Sequence, residues 1–181
     1  MSVQVDMWQS QLADPAQRRE TFSKAVHQYS ESLYWKIRRI VLTHEDANDV
    51  LQNTFIKAWN NLDEFKSNSK FTTWLFRIAI NESLDFVRKQ KVRASISQDG
   101  DTAVVDTLLA DEYFDGDKTQ ALLQESIAQL PEVQRAVFTL RYYDEMRYSE
   151  MSEVLRTSEG ALKASYHLAV KKITEYLRDK D

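Results

Sequence analysis

The 181-residue sequence has no cysteine, three glycines and two prolines. Without cysteine there is no disulfide and no thiolate metal site. With so few breakers and little alternating pattern, long uninterrupted helices and an all-α fold are expected. The histidines, at 27, 44 and 167, are scattered and show no metal-ligand spacing. No apolar run approaches the ~20 residues needed to span a membrane. Residues 1–11 lack the basic patch and apolar run of a signal peptide. A cytoplasmic protein without membrane insertion is therefore expected. There is also no glycine-rich phosphate loop, no nucleophile motif and no carboxylate-rich metal cluster on a helix. Neither an enzyme nor a cofactor is expected.

A strong excess of one charge is missing too. The formal net charge of −4 at first argues against nucleic acid. Its distribution says more. Residues 1–93 carry 14 basic and 11 acidic side chains, residues 94–117 carry none and 7, and residues 118–181 carry 10 and 10. The whole deficit sits in the middle segment. Neither half has the basic excess of an autonomous DNA binder. That fits a subunit that touches DNA as part of a larger machine.

What is present is helical periodicity. Between Lys70 and Lys89, the residues Phe71, Trp74, Leu75, Ile78 and Ala79 repeat at the spacing of one buried stripe. A polar stripe of Arg77, Asn81, Asp85 and Arg88 runs beside it, with Trp74 at the border. Cations, an amide and aromatics on one face suit phosphates, base edges and an unpaired base. From these residues alone the plainer reading, a solvated face over an aromatic core, is preferred, because aromatics at helical spacing are usually core.

Before this helix, residues 1–14 show no period and read as a poorly ordered start. Pro15 suits a first turn. From about Ala16 to Leu42, Phe22, Ala25, Tyr29, Leu33, Ile37 and Ile40 keep helical spacing. Arg38 and Arg39 stand near the end, where cations suit the helix dipole. Thr43 is the expected N-cap of the next helix. Its inner face is Ala47, Val50, Leu51, Phe55, Ala58, Trp59 and Leu62. Its outer face is Asp46, Asp49, Gln52, Asn53, Ile56 and Asn60. An isoleucine among acids and amides suggests a docking surface, although single exposed apolar residues are common. Asp46 and Asp49 sit one turn apart but lack a third ligand for magnesium.

From Ala94 to Asp117 the pattern dissolves into an acidic linker with breakers at Asp99-Gly100-Asp101 and Asp115-Gly116-Asp117. Helical pattern resumes near Thr119 and restarts at Leu130-Pro131, with Val133, Ala136, Val137, Leu140 and Tyr143 inward. A short helix through Met151 and Val154 follows, then a turn at Arg156-Thr157-Ser158 with Ser158 as N-cap. The last helix buries Leu162, Tyr166, Ala169, Val170, Ile173 and Leu177. Its other face is Gly160, Lys163, Ala164, His167 and Lys171. Small and basic residues after a tight turn suit entry into a major groove.

Three stretches appear in order: EDANDVLQNTFIKAW (45–59), FTTWLFRIAIN (71–81) and LPEVQRAVFTLRYYDEMRYSEMSEVL (130–155). With the helix-turn-helix candidate that follows, they resemble a bacterial sigma factor of the extracytoplasmic-function (ECF) group, the smallest of the sigma-70-type factors. The resemblance covers nearly the whole chain. It implies two small helical domains, residues 15–93 and 118–181, joined by the flexible linker 94–117. It implies a transcription initiation factor that binds core RNA polymerase, directs it to promoters and helps open the −10 region, with catalysis left to the polymerase. The outer face of Asp46, Asp49, Gln52, Asn53 and Ile56 would dock on the clamp helices of the largest subunit; an acid is usual where Asn53 stands. Phe65, Asn68, Ser69, Lys70, Phe71, Trp74, Arg77, Asn81 and Arg88 would capture flipped −10 bases. Unstacking costs a few kcal/mol, which an aromatic wall and an amide can offset.

The resemblance further implies that Ser158, Gly160, Lys163, Ala164, His167 and Lys171 meet the −35 duplex and that the second domain contacts the polymerase flap. The linker would thread the active-site channel, its acids standing in for RNA phosphates. An anti-sigma factor would be a further partner. The family usually has SEGTVKSRLHRARKKL where this chain has SEGALKASYHLAVKKI. Ser165, Leu168 and Val170 stand at three usual arginines, which implies a weaker or differently specific −35 contact. Two rivals remain: a stand-alone helix-turn-helix regulator, disfavoured by the near-neutral second half, and a helical adaptor that binds protein alone.

Overall fold

Uninterrupted periodicity becomes long helices. The structure, a computed structural model, describes residues 8, 10–65, 70–96 (backbone alone for 94–96) and 116–180. In chain order these form α1 (Arg18–Val41), α2 (His44–Asn60), a 3-10 turn (Leu62–Glu64), α3 (Phe71–Ile96), α4 (Lys118–Ala128), α5 (Glu132–Tyr142), α6 (Tyr148–Leu155) and α7 (Glu159–Lys180). No strand occurs among the described residues, and the fold is all-α as expected. Asn68, Ser69 and nearly all of the linker lie outside the described residues.

Local sequence sets the helix ends. Thr43 accepts the Asp46 backbone N–H at 3.2 Å and caps α2. Asp117 caps α4 through the Gln120 N–H at 2.9 Å. Ser158 accepts the Ala161 N–H at 3.3 Å, at the start of α7. Just before it, Arg156 ends α6 in the left-handed region, with φ 51°, a position glycine usually takes.

The start of the chain departs from expectation. Pro15 lies in a turn where Asp14 accepts the Ala16 N–H at 3.0 Å, and α1 begins at Arg18. Residues 10–13 are helical, Leu12 is buried, and Trp8 stacks on Phe71 with centroids 5.9 Å apart. One helical turn is too short to show a period, so the sequence pattern could not reveal it.

Helices α1–α3 pack as one group and α4–α7 as another. The groups share a core. Leu33, Ile37, Ile40, Leu75 and Ile80 of the first belong to the same cluster as Val137, Leu140, Met151 and Leu162 of the second. A smaller cluster of Ile127, Leu130, Phe138, Ala169 and Ile173 lies within the second group. This shared core explains where periodicity misled. α5 is buried at six consecutive residues, Arg135 to Leu140, because α1 and α3 cover it as well as α7. Val133, expected inward, is exposed, and so is Val170 of α7. On α3, Ile80, Ser83 and Val87 are buried beside the expected stripe, since α5 and α6 pack there in addition to α1 and α2.

Polar contacts also join the groups. Asp144, just after α5, holds Lys36 Nζ at 2.9 Å and Arg39 at 3.1 Å. Arg39 also lies 4.9 Å from the centre of the Tyr143 ring. Arg135 donates to the carbonyl of Ile40 at 3.1 Å and to that of Ala128. Burial lowers its guanidinium to about 10, partly offset by Glu132. Glu132 in turn pairs with Arg88 of α3 at 3.5 Å.

Candidate functional site

Three helix faces carry the expected site residues. The first is the outer face of α2. This helix buries Ala47, Val50, Thr54 and Ala58, a narrow line of small residues that lets α1 and α3 approach closely. The larger residues are therefore pushed aside. Asp49, Gln52 and Asn53 are exposed, while Asp46 is half-buried and accepts Gln90 Nε2 at 3.2 Å. Ile56 is 53% exposed. Trp59, expected inward, is 41% exposed. Its ring meets that of Phe22 in an edge-to-face arrangement, with centroids 5.2 Å apart. Gln52, Ile56 and Trp59 follow i, i+4, i+7 and share one face. That spacing was the signal that could have placed Trp59 outward. Lys57 bonds Glu82 of α3 at 2.5 Å, which raises its ammonium and fixes α2 against α3.

The second face belongs to α3. Phe71 and Trp74 are 4% and 6% exposed. Both sit in an aromatic cluster with Phe65, whose centroid lies 5.5 Å from Phe71 and 5.2 Å from Trp74. Trp74 is therefore inside the protein rather than at the border of the polar stripe. Beyond the cluster, Lys70 and Asn81 are exposed and Arg77 is half-buried. Arg88 is held by Asp85 at 2.8 Å as well as by Glu132. The structure thus brings Arg77, Asn81 and Arg88 onto one line over an aromatic foundation.

The third face belongs to α7. Gly160, Ala161, Lys163, Ala164, His167, Leu168 and Lys171 are exposed on it. A Cβ at Gly160 would meet nothing within 4 Å, so this fold does not itself require glycine there. Lys163 Nζ lies 3.8 Å from Glu159 and 5.5 Å from the centre of the Tyr148 ring. Lys171 lies 3.9 Å from Glu175. Such exposed pairs are weak, so both cations stay available. On the covered side, Tyr166 stacks on Phe138 at 5.8 Å. Tyr176 donates to the Glu125 carboxylate at 2.5 Å. Burial and that carboxylate push its hydroxyl up to about 12.

Among the described residues, no cluster of three or more potential metal ligands occurs. None of their helices is long and apolar enough to cross a membrane.

The family model for sigma-70 region 2 matches residues 25–93, and that for sigma-70 region 4 matches residues 120–173. The chain is 31% identical over 170 residues to the ECF RNA polymerase sigma factor SigW of Bacillus subtilis, covering 89% of this chain and 91% of that one. It is 30% identical over 179 residues to the RNA polymerase sigma-H factor of Pseudomonas aeruginosa, covering 93% of each. In fold it is similar to CnrH in complex with the cytosolic domain of CnrY, at a TM-score of 0.70 and 22% identity, over 98% of this chain and 99% of that one. It is also similar to the sigma factor RpoE in complex with the anti-sigma factor NepR from Bartonella quintana, at 0.65 and 22% identity, over 87% and 96%.

Proposed function

The chain belongs to the sigma-70 family of RNA polymerase sigma factors, in its ECF group, and on that premise we propose which of its surfaces meets which partner. It is a transcription initiation factor for core RNA polymerase and promoter DNA. Catalysis belongs to the polymerase, and the chain works in the cytoplasm. Residues 15–93 serve the polymerase and the −10 element, 94–117 connect, and 118–181 serve the −35 element. The outer face of α2, with Trp59 added to Asp49, Gln52, Asn53 and Ile56, docks on the clamp helices. Lys70, Arg77, Asn81 and Arg88 face the −10 strand, with Trp74 and Phe71 supporting α3 from behind. An anti-sigma factor is a further partner, by analogy with the similar folds solved in such complexes.

The observation that carries this assignment is α7. A left-handed turn at Arg156 and a cap at Ser158 present a helix whose face from Gly160 to Lys171 is open to solvent. That is the geometry of a helix placed for a major groove.

The packed arrangement has a consequence for promoter binding. The −10 and −35 elements lie about 25 base pairs, or about 85 Å, apart along a duplex. A compact chain of this length has a radius of gyration of about 16 Å. The two groups therefore part when the polymerase seats the chain on a promoter, and the free chain binds promoter DNA weakly.

The test mixes the chain, core polymerase and a promoter fragment, with each component alone as control. A fluorescent base analogue in the −10 element reports strand opening. Asn81→Ala should leave closed-duplex binding intact and slow opening at saturating holoenzyme. Equal opening rates, with an unchanged −10 preference, would reduce the polar stripe of α3 to a solvated face.

A further inference from the structure

The open face of α7 carries two lines of residues. Gly160, Lys163, His167 and Lys171 form a polar one. Ala161, Ala164 and Leu168, at i, i+3 and i+7, form an apolar one beside it. All three are exposed, and Leu168 is 46% exposed. Leu168 belongs to neither apolar cluster of the protein. A leucine so placed contributes nothing to the core, and its apolar surface gains only when another molecule covers it.

The charges around the line indicate what that molecule is. Lys163 and Lys171 flank it on one side, and the exposed Lys172 flanks it on the other. A ridge of methyl groups between cations matches a duplex groove, with phosphates on both walls and bases on the floor. The floor of the major groove offers an alkyl side chain one apolar partner, the C5-methyl of thymine. The other base edges present donors and acceptors, which an alkyl group would desolvate without replacing their hydrogen bonds.

We propose that Ala161, Ala164 and Leu168 form a methyl reader, which specifies the −35 element by thymine methyl groups at the steps they face. The proposal rests on the assignment of α7 to that element. Lys163 and His167 remain for polar contacts on the adjacent steps.

The test begins by selecting −35 sequences from a randomised duplex library with the holoenzyme. Each thymine of the selected element is then replaced by deoxyuracil, which keeps the pairing edge and removes only the methyl group. Binding should weaken roughly fourfold for each buried methyl lost, at one or two positions. Leu168→Ala should abolish the uracil effect at one of them and leave the rest. Leu168→Arg should shift the selected base there towards guanine. Leu168 lies outside both cores, so these variants keep the fold, which circular dichroism checks.

Uracil tolerance at every thymine, with Lys163→Ala and Lys171→Ala still weakening −35 binding, overturns the methyl reader alone. So does a uracil effect that survives Leu168→Ala unchanged. If the lysine variants and Leu168→Ala all leave −35 binding untouched, the assignment of α7 fails and the proposal falls with it.

Discussion

Helices α3 and α7 both present a polar face, proposed here for nucleic acid, yet the fold holds them differently. α3 is packed by α1 and α2 and also by α5 and α6. Its Phe71 and Trp74 are buried inside the protein, and Arg88 pairs with Glu132 of the other group. α7 is covered by its own group, and its cations pair weakly with acids one turn away. The face of α3 proposed for the −10 element therefore borders the contact between the two groups in the free chain, and the face of α7 proposed for the −35 element does not.

The hardest blow to this contrast is Arg135→Ala. It strips hydrogen bonds from the carbonyls of Ile40 and Ala128 and leaves a void where α5 meets α1. We expect a loss of about 2–4 kcal/mol, read by denaturant unfolding. A change within about 0.5 kcal/mol would mean that the shared core holds the groups together without it.

A gentler break is Asp144→Asn, which removes the partner charge of Lys36 and Arg39. The site is only partly buried, so about 1–2 kcal/mol is expected, below the range for a fully buried pair. Hydrogen exchange should speed up in α3 and α5 but not over residues 160–171 of α7. Equal acceleration in α3 and α7 would erase the contrast.

The face of α2 proposed to dock on the polymerase should respond separately from either. Ile56→Ala combined with Asp49→Lys should weaken core polymerase binding about tenfold, roughly 1.4 kcal/mol, with helicity unchanged. Trp59→Ala should add to that effect. Unaltered retention on immobilised polymerase would remove this face from the interface.

The smallest effect lies within the second group. The Tyr176 hydroxyl is raised to about 12 from an ordinary 10. A group raised on folding stabilises fully below its unfolded value and loses that contribution as pH climbs through the folded one. Tyr176 should therefore add an alkaline loss of stability between pH 10 and 12. Tyr176→Phe should remove that part of the slope without altering exchange in α3. A slope identical to the parent's would show that Glu125 does not hold the hydroxyl.

Much of this was legible in the residues. The caps at Thr43 and Ser158 and the turn at Arg156 depend on bonds and spacings within a few residues, so sequence alone determined them. The family followed from three stretches in order. The exposure of Trp59 and the burial of α5 at six consecutive residues, Arg135 to Leu140, were not legible. Each depends on which helix arrives from elsewhere, and a periodic pattern records one buried stripe without naming a second neighbour. Arg39 suited the end of α1 on local grounds, but its partner Asp144 lies 105 residues away. Local hydrogen bonds and helical period act over one or two turns, so the sequence settled the helices and their ends. Burial and ion pairing act between surfaces that meet only when the chain is folded, so the tertiary structure alone decided which faces remain open.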